Sequence, residues 1–213
     1  MSIVKLNNRA VKDITTFGSV SSGSLQFIKK ITADNDSTIS FVDGSSSVVF
    51  DSTYKEYLFT LKNIHPVANA VDLLFQFSTN SGSSYGVSMT TSCFQAYHQE
   101  DDNPANLNFR TGSVNSLANS TNFQSISTAD GIGNDNDQCL DGFIRVYNPA
   151  DTTFVKHFMA NTTHYTNDNA SMNTFVQGYV NTTSAIDAIQ FKMNDGSSDT
   201  NLSTGDICLY GIN

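Results

Sequence analysis

The 213-residue chain carries 20 Asp and Glu against 11 Lys and Arg, a net charge of −9, and only 15% of its residues are charged. That balance argues against a nucleic-acid partner, because a phosphate backbone demands clustered cations, and against an anionic membrane surface; no apolar run is long enough for membrane insertion as a helix. Hydrophobic residues reach 38%, with 15 Phe, 8 Tyr and no Trp, and Ser, Thr, Asn and Gly fill the gap, a composition suited to pleated strands and turns.

Residues 1–23 stand apart. They carry Lys5, Arg9 and Lys12 ahead of the Gly/Ser-rich TFGSVSSGS, and they are predicted to form an attachment arm and link. Leu6, Asn7, Asn8 and Arg9 are its candidate partner-binding residues. Ile3, Val4 and Leu6 would supply apolar anchorage, and the asparagines could bond an exposed sheet edge of a partner. The leader lacks an apolar core, so it is not expected to be a signal peptide.

The folded domain is expected over 24–213. LQFIKKI sets Leu25, Phe27 and Ile31 on one face, interrupted by Lys29. TISFV alternates Ile39 and Phe41 against Ser40 and Val42, and Asp43-Gly44 predicts a hairpin into SVVF. EYLFTLKNI points Tyr57, Phe59 and Leu61 one way; LLFQFST points Leu73, Phe75 and Phe77 inward and Gln76 and Ser78 outward. A turn at NSGSSYG precedes VSMTTSCFQAYHQ. Residues 100–137 are polar and long for one loop, and NFQSIST is a candidate strand within them. GFIRVYN, TFVKHFMA, NTFVQGYV, AIQFKM and DICLYGI complete ten or eleven short strands, with turn signals between them and no helical stripe. The fold class is therefore all-β, an antiparallel jelly-roll-like sandwich with a short N-terminal arm. Ile189, Phe191 and Met193 join the inward residues of the two clearest strands as the predicted core.

No motif supports catalysis. Gly82-Ser83-Ser84-Tyr85-Gly86 matches the GxSxG spacing, but a nucleophile elbow needs a helix behind the serine, and a hairpin turn explains these residues. His65, His98, His157 and His164 show no metal-binding spacing, although His157 and His164 could approach each other across neighbouring strands. The acidic run His98 to Asp102 reads as a solvated loop. Asp130 to Asp137 alternates oxygen donors with glycines, yet lacks the complete calcium-loop pattern and reads as an Asx-turn loop. Cys93, Cys139 and Cys208 form no disulfide framework and are expected to be reduced and mostly buried. No metal, no cofactor and no catalytic residue is expected.

The stretches FIKKITADNDSTISF, DSTYKEYLFTLKNIHP, LLFQFSTNSGSSY, IRVYNPADTTFVKHF, TTSAIDAIQFKM and STGDICLYGI resemble a family of bacteriophage virion proteins, abundant in marine phages. These carry such a β-domain alone or at the end of fibre-like proteins. The leader KLNNRAVKDITTFGS is similar to a segment at the starts of marine phage structural proteins. The resemblance spans most of the chain outside residues 100–137 and brings no catalytic residues. It implies a non-enzymatic structural protein on the virion exterior, of head-decoration or fibre type, made in the host bacterial cytoplasm. Its partners would be other virion proteins of capsid or tail, and a homo-oligomer is expected in the particle. The alternative is a tail-borne receptor-binding protein that recognises host-surface glycan.

Overall fold

The computed structural model describes residues 24–102, 105–127 and 131–213. The arm, including Leu6, Asn7, Asn8 and Arg9, lies outside the described residues, as does Asp130. Among the described residues there are thirteen strands and no helix. They are β1 (Leu25–Asp36), β2 (Thr38–Val42), β3 (Glu56–Pro66), β4 (Asp72–Ser78), β5 (Met89–Gln99), β6 (Ala105–Phe109), β7 (Gln124–Ser125), β8 (Leu140–Tyr147), β9 (Lys156–Tyr165), β10 (Ala170–Val180), β11 (Ala188–Asn194), β12 (Asp199–Thr200) and β13 (Leu202–Ile212). The predicted antiparallel sandwich is present. An eight-stranded sheet runs β1-β13-β3-β8-β9-β10-β5-β6, and a five-stranded sheet runs β12-β11-β4-β7, with β2 also on β11.

Period-2 alternation places one apolar face of each sheet against the other. All nine predicted core residues are buried, none more than 2% exposed. Their aromatic rings meet edge to face across the layers: Phe41 on Phe59 at 5.4 Å, and Phe75 on Phe158 at 5.3 Å. This is the favoured geometry for aromatic quadrupoles.

Four local expectations are corrected. In β1 the register against β13 shifts between Phe27 and Lys29, a bulge at Ile28. One extra residue reverses the faces. Leu25 and Phe27 therefore point outward, at 49% and 60% exposure, while Ile28 and Ile31 pack on the core. Asp43-Gly44 does turn the chain, with Ser45 N–H donating to Val42 O at 3.0 Å, but SVVF pairs with nothing as a strand. Val48 and Phe50 instead plug the core from a loop, where the Asp43 carboxylate accepts from the Phe50 amide at 2.8 Å. NSGSSYG is not a hairpin, because β4 and β5 belong to different sheets and the turn carries the chain between layers. Finally, Gln76 and Ser78 are fully buried rather than outward.

The two ends of the sandwich differ. At one end Leu25 pairs with Ile212, Ile212 with Glu56 and Glu56 with Tyr147, and Asn213 N–H donates to Ser24 O at 3.3 Å. The segment 1–23 therefore joins the sandwich beside the C-terminal residue. At the other end Leu202 pairs with Pro66, Leu140 with His164 and Ala170 with Gln99.

Candidate functional site

The polar stretch 100–137 is a clamp that joins the two sheets. β6 pairs with β5 from His98 to Phe94 and leaves the remainder of that edge free. Residues 110–120 continue along it: Arg110 N–H donates to Cys93 O at 2.8 Å, Thr91 N–H to Leu117 O at 2.9 Å, and Met89 N–H to Ser120 O at 2.8 Å. The chain then crosses to the small sheet, where Gln124 and Ser125 pair with Phe75 and Leu74 of β4. The predicted strand NFQSIST is thus real but only two residues long.

Two buried glutamines fasten the clamp. The Gln124 amide donates to Val114 O and Asn115 O at 3.1 and 2.8 Å, and its oxygen accepts from Thr91 Oγ1 at 2.6 Å. The Gln76 amide donates to Thr121 O and Asn122 O at 3.1 and 2.9 Å. Buried amides persist only where such partners exist, so the clamp accounts for polar residues in a strand that otherwise reads as apolar.

Where the clamp meets the end of the sandwich remote from the termini, loops from five parts of the chain enclose a cleft of about 400 Å³. Asp72 opens β4, Arg110 and Asn115 come from the clamp, Asn167 from the β9–β10 turn, and Asp195 and Gly196 from the turn after β11. Gly131 seats the clamp here. It has φ +63°, and a Cβ on it would lie 2.3 Å from the carbonyl carbon of Ala70, an approach closed to any other residue. Three enclosed polar atoms of the wall have no hydrogen-bond partner: Arg110 Nε, Asn115 Oδ1 and Asn167 Oδ1. Burial pushes the Asp72 carboxyl up to about 7, opposed by the Ser125 hydroxyl and the Arg110 charge. Asp195 lies low, because its Oδ1 accepts from the amides of Ser198 and Ser197.

A second surface is the outer face at the β6 edge. Phe94 and Phe175 stack at 5.2 Å with planes 7° apart, and Leu107 and Phe109 beside them are 67% and 63% exposed. The opposite edge of the same sheet, β1, shows Phe27 against Tyr210 at 5.6 Å.

The residues singled out in the sequence are scattered. Ser84 Oγ accepts from the Asn80 side-chain amide at 2.8 Å, not from a base, and no helix follows it. His157 and His164 share strand β9 rather than lying on neighbouring strands; seven residues apart, they face opposite sides. His157 is exposed beside Tyr179, whereas His164 is buried with neither ring nitrogen bonded. Burial lowers the His164 pKa to about 4. His65 Nε2 donates to Asp135 O at 3.2 Å, and His98 Nε2 pairs with Asp102 at 2.9 Å in solvent. Among the described residues no group of three His, Cys, Asp or Glu side chains could hold a metal. Cys93, Cys139 and Cys208 are free thiols, the first and last buried. No protein-family model, curated protein or solved structure matches the chain.

Proposed function

We propose that this is a non-enzymatic structural protein of a bacteriophage virion, held on the particle exterior by residues 1–23 and presenting the sandwich outward. The supporting observation is the polarity of the domain. The chain enters beside Asn213 at one end, while the loop-built cleft lies at the other. A particle anchored through the arm would thus display the cleft and its surrounding loops to the medium. Its proposed partners are other virion proteins and further copies of itself. The exposed aromatic residues at both edges of the large sheet, Phe27 on β1 and Phe109 on β6, favour self-association in the particle. The acidic net charge favours neither nucleic acid nor membrane insertion.

Truncation tests the anchor. Removal of residues 1–20 is expected to leave the melting temperature unchanged and to abolish incorporation into particles. Undiminished incorporation of the truncated protein would overturn the proposal. The second reading, a tail-borne receptor-binding protein for host-surface glycan, draws on the same outward cleft; imaging of intact particles separates the two, since decoration requires hundreds of copies and a tail tip only a few.

A further inference from the structure

We infer that the cleft between Asp72, Arg110, Asn115 and Asn167 is a binding site for a neutral saccharide, gripped through its hydroxyl groups. The inference concerns the cleft itself and does not rest on the particle reading. Buried polar groups in folded proteins are nearly always paired, yet three unpaired atoms gather around this one cavity. They define what a ligand must offer. Asn115 Oδ1 and Asn167 Oδ1 need donors, and Arg110 Nε needs an acceptor. All three atoms are enclosed as the side chains stand, so a ligand meets them only after side-chain rotation; the terminal torsion of an asparagine is soft, and that of Asn115 is held by its amide donating to Thr111 O at 3.0 Å.

Charge and valence eliminate the other simple ligands. An inorganic anion would meet the Asp72 carboxyl and two amide oxygens. A divalent cation would face the Arg110 guanidinium, with Asp195 Oδ1 already committed to its own turn. A sugar hydroxyl donates and accepts at once, carries no charge, and tolerates Asp72 in either protonation state. About 400 Å³ is space for one or two sugar rings. No aromatic ring stands among the lining residues, so the stacking that strengthens many sugar sites is missing and the affinity falls in the roughly millimolar range.

Amide-resolved NMR titration of the full chain tests this, with glucose, galactose, mannose and N-acetylglucosamine as probes and inorganic phosphate and calcium as controls. At least one sugar is expected to give saturable shifts in the side-chain amides of Asn115 and Asn167 and in the backbone amide of Gly196. Asn167→Ala and Arg110→Lys should each weaken that binding by roughly tenfold, the latter because lysine keeps the charge but lacks the Nε donor. If Asn167→Ala does not fold, Arg110→Lys carries the comparison, with its melting temperature as the control. The inference is overturned if no sugar at about 100 mM moves these resonances, if sugar binding is unaltered in Arg110→Lys, or if only phosphate or calcium produces the shifts.

Discussion

Two titratable residues, Asp72 half-buried in the cleft wall and His164 buried, set opposing pH responses. Asp72 has a folded pKa near 7, above its ordinary carboxylate value of 3.8. The native state therefore holds a proton that the unfolded chain releases, and stability falls as pH rises from about 4 to 7. His164 has a folded pKa near 4, below its usual 6.5. The unfolded chain then binds the extra proton, and stability falls as pH drops from 6.5 toward 4. Each shift corresponds to about 3–4 kcal/mol at its limit, so over pH 4–6.5 the two slopes largely offset each other. Asp72→Asn is expected to raise stability at pH 8, by up to a few kcal/mol, and to leave a protein that weakens on acidification. His164→Met should show the reverse tilt, losing stability as pH rises toward 7. Urea denaturation at pH 4.5, 6 and 8 reads both; parallel pH profiles for wild type and the two variants would refute the assignment.

The strands divide into those legible from the sequence and those shaped by what covers them. Residues 57–61, 73–77 and 189–193 carry an apolar residue at every second position, and their inward faces were legible because burial on one side imprints period 2. Phe59 sits among Phe41, Phe50 and Phe191, and Phe59→Ala should cost about 3–5 kcal/mol of unfolding free energy. The polar side of β4 was not legible. Gln76 and Ser78 look outward by alternation; the fold-back of residues 110–125 encloses Gln76, whereas the turn after β4 caps Ser78, whose hydroxyl accepts from the Asn80 and Gly82 amides at 3.1 Å each. The clamp was equally opaque, since its bonds join residues with no apolar period, and so was the cleft it helps to build. The bulge at Ile28 hid for a related reason: an inserted residue leaves composition unchanged while reversing every face before it. Gln124→Ala removes the donor shared by three clamp carbonyls, those of Val114, Asn115 and Ser125, and should destabilise by roughly 2–4 kcal/mol, visible as a lower urea midpoint with an unchanged slope. A loss under about 0.5 kcal/mol would show that the clamp holds without it.

As a whole, the molecule is an unequal sandwich whose larger layer ends, among the described residues, in the edge strands β1 and β6. Each of the two carries exposed apolar side chains, the combination that invites strand addition. Leu107→Lys and Phe109→Lys together are expected to leave folding intact and to lower any concentration-dependent self-association measured by sedimentation. The meeting of Ser24 and Asn213 through a backbone hydrogen bond has a consequence of another kind. The domain is nearly a closed loop of chain, and its order of strands in space does not depend on where the polymer is cut. A circular permutant that links residue 213 to residue 24 through a few glycines, with new ends opened at the exposed turn around Gly44, should recover the same sandwich. In such a molecule the natural entry point is sealed, and anything fused to the new ends leaves from a different corner of the fold.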